Sequence, residues 1–494
     1  MTSRLPPGRP NLRPAVRAGG RRVTLPTKLF FGFGSVAEGT KSTAFNVFLL
    51  FYYNQVLGVP GTLSGFAIFI ALCVDAITDP LVGSLSDNLH SRWGRRHPFM
   101  YASALPMSVS FFLLFNPPRA LGEVGLFAWL TAFAVCVRAS MTLYQIPSSS
   151  MVPELTDHYD ERTSLVSYRF LFGWLGGLAV AQLGYLHFFA PSESFADGRL
   201  DANAYGAFAL VGALLIFVAI LTCALGTHRL IPTLMPPPAK TPFTLRRFAD
   251  EMAAVLGNRS YRMLLFAALF SAVAGGFSDV VGLYMNTYFW EFSTAQIAVL
   301  VYGLVVSIVL AFLLTPPITA RFDKKRSAVG LAAYAIFIGP LPIFLRLLGL
   351  MPANGEPLLL YLILVHSMVL VTTVVAIGII VASMIADVVD ESELSTGRRQ
   401  EGMFTSAIAF TTKATSGLGG LFAGIALDVI AFPTGAASGA VPPDTVFHLG
   451  LAVGPGLMLL YIVTLVFLSR YGIDRARHGE ILAALARRRS PERR

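Results

Sequence analysis

Apolar residues in this chain do not alternate with polar ones. They come in unbroken stretches of about twenty, separated by short polar or basic connections. Each stretch can cross a hydrocarbon layer of ~30 Å as an α-helix, and the absence of period-two alternation argues against a barrel. The pattern predicts an all-α membrane protein of twelve transmembrane helices, at about 28–57, 61–87, 98–116, 124–153, 164–190, 204–228, 260–290, 294–320, 327–350, 357–388, 400–432 and 445–470. The longest connection carries Pro236, Pro237 and Pro238 and reads as a semi-rigid linker. The expected organisation is a basic segment (1–27), a six-helix bundle (28–228), the linker (229–259), a second six-helix bundle (260–470) and a basic tail (471–494).

The two bundles carry related sequence. Met151, Glu154 and Asp157 follow the fourth span, and Met384, Asp387 and Asp390 follow the tenth, each pair 233 residues apart. Arg92 after the second span and Lys325 after the eighth share that offset. The same spacing in two loops at matching places points to a parallel repeat.

Composition agrees: 54% of residues are hydrophobic, 13% are charged, and the mean hydropathy is +0.64. A soluble chain carries about twice that share of charge. The net charge of +10 raises a nucleic-acid partner, but its distribution argues for topology instead. Arginines crowd the first 28 residues, the tail, and the connections after spans two, six and eight, whereas the intervening connections are short or acidic. Arg346 is a mild exception. Basic loops stay on the cytoplasmic side. Both termini are therefore expected in the cytoplasm, in a multi-pass protein of the inner (cytoplasmic) membrane with the lipid bilayer as its surroundings, no nucleic acid as partner, and function as a monomer. Cys73, Cys136 and Cys223 lie within apolar spans and read as buried, unpaired thiols, and no cleavable signal peptide is visible.

A charge in mid-bilayer costs roughly 2.5–3.5 kcal/mol on insertion scales, so each needs a reason. Asp75 and Asp79 in the second span stand at i and i+4 on one helix face, with Thr78 beside them and Pro80 next along the chain. They read either as a cation site, ligating Na⁺ as the metal or sharing a proton, or as structural partners of Arg138 or Lys413. Arg138 faces either an anionic group of a substrate or one of these carboxylates, and Lys413 is either a mobile counter-charge or half of a fixed pair. Asp279 either lines the cavity or caps a helix. Glu38 and Lys41 are expected to pair with each other. At the basic surface Gly83, Asp87, Arg92, Arg95 and Arg96 form a dense turn, with Glu154 and Asp387 among its candidate partners in a cytoplasmic gate.

Across about residues 27–475 the chain resembles the glycoside–pentoside–hexuronide:cation symporters, a branch of the major facilitator superfamily. The resemblance is carried by 28–34 (KLFFGFG), 75–83 (DAITDPLVG), 91–96 (SRWGRR), Ile146-Pro147, Tyr168-Arg169, 384–390 (MIADVVD), 396–399 (TGRR) with Glu401-Gly402, and Lys413. It implies the major facilitator fold of two pseudo-symmetric six-helix bundles. It also implies that Asp75 and Asp79 bind the coupling cation with Thr142 and Lys413 near it, and that Arg169 lies by the substrate pocket. Two sugar-binding aspartates of the family's melibiose permeases align with Gly39 and Gln145, and their stacking tryptophan with Ser149. The coupling residues are kept while galactoside ligands are changed. Gln145, Ser149, Arg169 and Asp279 are the candidate lining of the substrate cavity. The animal lysophospholipid symporters of the same branch change these residues too, which keeps an amphipathic substrate in view.

The expected function is alternating-access symport of a small organic solute, sugar or glycoside-like, driven by Na⁺ or H⁺, with no cofactor beyond that ion. An intramembrane enzyme needs a convergent nucleophile and base or a metal cluster, and the eight histidines show no such spacing. A channel needs a filter-like segment, and none is apparent.

Overall fold

The computed structural model describes residues 23–156, 159–193, 195–234, 256–396, 415 and 417–489. These residues form α1 (25–56), α2 (Gly61–Asn88), α3 (His97–Leu114), α4 (Glu123–Ser150), α5 (Tyr159–Leu183) and α6 (Ala202–His228). A second series follows as α7 (Arg259–Tyr284), α8 (Thr294–Phe322), α9 (Lys324–Leu347), α10 (Pro357–Thr396), α11 (Gly417–Val429) and α12 (Pro443–Ser469), and then α13 (Arg475–Arg489). Nine of the described helices are long and apolar enough to cross a membrane, while α1, α3 and α11 stand where three further spans are expected. Lys413, the middle of the linker and the first 22 residues lie outside the described residues.

Local chemistry sets the helix ends. Asn258 and Asp201 accept from main-chain N–H groups at the starts of α7 and α6, and Ser293 and Gln296 make a reciprocal capping box on α8. Helix α10 runs eight residues past the expected boundary at 388. Its end is polar, yet Val388 and Val389 are buried and hold it against its neighbours.

The repeat is present in the backbone. Helix α1 ends in a π-turn at Tyr52–Val56, and α7 continues into one at Met285–Phe289. The Leu57 and Trp290 N–H groups close these turns on Tyr52 and Met285 at 3.1 and 2.9 Å, and Val59 and Phe292 bond to Tyr53 and Asn286 at 2.9 and 2.8 Å. Every one of these equivalents is 233 residues from its counterpart.

In the first series α2 and α3 pack on α4, and α1 packs on α5 and α6; in the second, α8 packs on α10, and α12 on α7 and α9. Close approach of α1 and α5 depends on glycine: a Cβ on Gly39 would fall 1.9 Å from the Gly173 carbonyl oxygen. Among the described residues, the hydrogen bonds joining the two series lie away from the basic loops. Asn54 and Gln55 accept from the Tyr284 and Tyr288 hydroxyls at 2.8 and 3.0 Å, Arg199 donates to Thr287 at 2.8 Å, and Asp428 accepts from the Gly61 and Thr62 N–H groups at 2.8 and 2.7 Å. Gly61 and Gly65 of α2 touch Gly424 and Gly420 of α11 so closely that a Cβ on Gly424 would lie 2.1 Å from the Gly61 oxygen. This end is sealed. At the basic end, the ion pairs between described residues stay within one series.

Only Cys223 of the three cysteines is buried; Cys73 and Cys136 lie on exposed helix faces. In a spanning helix such a face meets hydrocarbon as readily as water, so an apolar thiol needs no burial inside the protein. The tail is no loose segment: α13 buries Ile481 and Leu485 against a cluster containing Tyr261, Leu264, Val388 and Tyr471.

Candidate cation and substrate sites

Asp75 and Asp79 project from the middle of α2 toward Thr142 of α4. The Thr142 hydroxyl lies 3.2 Å from Asp75 Oδ1 and 2.8 Å from Asp79 Oδ1, joining the two carboxylates. Arg138, one turn earlier on α4, donates to Asp75 Oδ2 at 2.9 Å and rests on the Phe45 ring at 5.2 Å. Both Arg138 and Asp75 are buried. Spacing explains the convergence: i and i+4 on both helices bring two pairs of side chains onto facing sides. Thr78 is placed differently, its hydroxyl donating to the Asp75 carbonyl oxygen of its own helix at 3.3 Å. A hydroxyl has one proton, so Thr142 donates to one carboxylate at a time. Oxygen ligands on a buried and a partly buried carboxylate, with a cation already against one of them, are suited to holding a proton or a small monovalent ion.

A second polar group lies along α1. Glu38, expected to pair with Lys41, accepts from Gln145 Nε2 at 2.7 Å, so Gln145 is held by an acid that sequence spacing did not assign to it. Gly39, where the family's aspartate aligns, is taken up by the contact with α5 and has no room for a side chain. Arg169 points its Nε to Ser35 Oγ at 3.4 Å and stacks on Phe31 at 5.6 Å. Ser149 bonds back to the Ile146 carbonyl oxygen at 2.9 Å. Asp279 is exposed between the two series and accepts from Asn46 Nδ2 at 3.5 Å. It is not acting as a helix cap.

At the basic end Glu154 is clamped by Arg95 at 2.6 Å and Arg96 at 3.2 Å, while Arg96 also reaches Asp87 at 2.6 Å and Ser86 Oγ at 2.7 Å. At Gly83 a Cβ would meet, among the described residues, only Ile146 of α4, at an ordinary 3.7 Å. Arg92 stands over Trp93. In the second series Asp387 pairs with Lys324 at 2.7 Å and lies 3.6 Å from His478 of α13, which also reaches Asp390 at 3.3 Å. Glu154 and Asp387, 233 apart, thus hold basic side chains at equivalent places. Lys324 and His478 were not singled out from sequence; the helical pattern of 475–489, with Ile481 and Leu485 at i and i+4, was the available signal for α13.

A sequence profile described as MFS/sugar transport protein matches residues 30–475. The chain belongs to this family. An uncharacterised symporter of Synechocystis is 28% identical over 94% of this chain and 96% of its own length. The isoprimeverose transporter of Lactiplantibacillus pentosus is 26% identical over 77% and 75%. The sodium-dependent lysophosphatidylcholine symporter 1 of Gallus gallus is 25% identical over 96% and 91%. Among solved structures the nucleoside transporter NupG superposes with a TM-score of 0.60 at 13% identity, covering 90% of this chain and 98% of its own, a likeness of fold. The fold is that of the major facilitators, and the resemblance to the glycoside–pentoside–hexuronide:cation symporters holds. The chain is a multi-pass membrane protein of a transporter family.

Proposed function

We propose that this family member is a cation-coupled symporter of a glycoside-like solute, with twelve spans, both termini in the cytoplasm of a bacterial cell, and two bundles that rock about a central cavity. With the basic end inside, the sealed end is outward and the cavity opens to the cytoplasm. Asp75 and Asp79 take the coupling ion, Thr142 joins them, and Arg138 balances part of their charge. Gln145 with Glu38, and Arg169, line the solute's path. The reading is carried by two carboxylates, Asp75 buried and Asp79 partly buried, gathered on one hydroxyl in mid-membrane, a costly arrangement that a purely structural core does not need. One cation moving down 100 mV supplies ~2.3 kcal/mol, about a fiftyfold accumulation of a neutral solute.

The test is uptake into vesicles of purified protein, with isoprimeverose and lactose offered under Na⁺ or H⁺ gradients. Gradient-driven accumulation is expected to vanish in Asp75→Asn while solute exchange continues; accumulation unchanged in that variant defeats the proposal.

A lysophospholipid substrate is the second reading, supported by the Gallus gallus relative and by an apolar recess of about 340 Å³ between α8, α9 and α10, lined by Leu310, Leu314, Leu331, Val365 and Met368. Lysophosphatidylcholine in the same assay separates the two.

A further inference from the structure

Asn46 and Asp279 are 233 residues apart, the offset of the repeat, and they touch. Equivalent residues of two related halves meet only on the axis that relates them, as Gln55 and Tyr288 do with the same offset in the seal. Unlike that pair, Asn46 and Asp279 are both exposed, although Ala44, Phe45, Phe48, Phe277, Val280 and Val281 around them are buried. They therefore face the space between the halves. Asp279 is ten residues from Phe289 at the sealed end, on the order of 15 Å at ~1.5 Å per residue, which puts it toward the closed tip of the cavity.

The surface around the carboxylate is bare. Gly275 and Gly282, one turn to either side on α7, have no described atom within 4 Å of where a Cβ would stand. The neighbouring groups are mixed: the Asn46 amide both donates and accepts, and the Tyr461 hydroxyl of α12 lies by Ser278 and Asp279. A fixed cation is best met by acceptors alone, whereas hydroxyl groups both give and take hydrogen bonds, and a carboxylate can accept from two adjacent ones. From this juxtaposition we infer that Asp279, flanked by Gly275 and Gly282 and joined by Asn46, binds the vicinal hydroxyls of the transported solute from the second bundle.

The assignment names a ligand group outside the positions where the family's sugar aspartates align. It also gives the solute a hold on both halves at once. Glu38 with Gln145 lies eight residues back along α1, roughly 12 Å away, so a solute reaching both stations has the length of a two-ring glycoside more than of a single ring. The inference rests on the reading of the chain as a glycoside carrier.

The experiment measures isoprimeverose and lactose binding to full-length purified protein, wild type beside Asp279→Ala and Gly275→Leu. Gly275→Leu keeps the carboxylate and fills open space, so a binding loss there does not reduce to misfolding. Affinity is expected to fall tenfold or more in both variants. Wild-type affinity within twofold in both overturns the inference while leaving the glycoside reading intact. If the wild type binds neither sugar while it binds lysophosphatidylcholine, both fall together.

Discussion

Removal of the Arg138 guanidinium is the sharpest perturbation the proposed coupling site offers. Arg138→Met keeps much of the side chain's length and its contact with Phe45 but leaves Asp75 without the donor 2.9 Å away. At an effective dielectric of about 20, unit charges at that separation attract by about 6 kcal/mol, much of it offset by the desolvation of both groups. Deleting one partner of a buried pair typically costs ~3–5 kcal/mol, of which the contacts Asp75 retains, the Thr142 hydroxyl among them, offset a part. Asp75 regains part of that by taking another cation, so the variant's stability should become dependent on what the buffer supplies. An ion at a hundred times its dissociation constant returns ~2.7 kcal/mol. Thermal unfolding in detergent, read with Na⁺, Li⁺ or choline at constant ionic strength and over a pH series, measures this directly. The variant is expected to melt several degrees lower in choline at neutral pH and to recover with a small cation or with acid. The wild type should respond less, because Arg138 already occupies one carboxylate oxygen. A variant as stable as wild type under every condition, with no ion response, refutes the view that Arg138 compensates Asp75.

Three further perturbations read other parts of the molecule. Gly424→Val forces side-chain atoms into the Gly61 main chain, where a single Cβ already falls 2.1 Å from the carbonyl oxygen, and should open the sealed end. A cysteine placed at Gln55, with the native thiols replaced by alanine, should then react with an impermeant thiol reagent at least tenfold faster. Glu154→Gln removes the charge that Arg95 and Arg96 share; charge-assisted hydrogen bonds contribute ~1.5–3 kcal/mol each, so a large drop in turnover or unfolding temperature is expected, and its absence shows the clamp to be dispensable. Ile481→Ala empties part of the cluster that α13 shares with α10, and should destabilise the protein by roughly 2 kcal/mol, detectable as proteolysis of the tail at lower temperature.

The spans were legible because hydrocarbon imposes length and apolarity on any helix that crosses it, and the repeat because its offset recurs. The convergence of Asp75 and Asp79 was legible because i and i+4 is a local rule. Contacts between helices were not. Glu38 has a basic residue three positions along its own helix, yet its hydrogen bond crosses to Gln145 on α4. Gly39 reads as a lost ligand in an alignment, while in space it permits α1 and α5 to meet. Asp387 finds Lys324, next to the residue that the repeat offset picks out, since one position along a helix turns a side chain by about 100°. The meeting of Asn46 with Asp279 was encoded in the same 233-residue spacing, but spacing alone does not say which equivalent positions fall on the axis.

Where α2 crosses α11 the closure is largely made of peptide planes, with Gly61, Gly65, Gly420 and Gly424 contributing no side chain beside the Asp428 carboxylate. A survey that trims side chains one by one to find what holds the carrier shut finds Asp428 there and passes over the glycines. Their importance appears only when atoms are added: a Cβ on Gly61, Gly65 or Gly424 would already meet a facing carbonyl oxygen at 2.6, 2.9 or 2.1 Å. Mutational fragility at this crossing therefore extends to sites with no chemistry of their own.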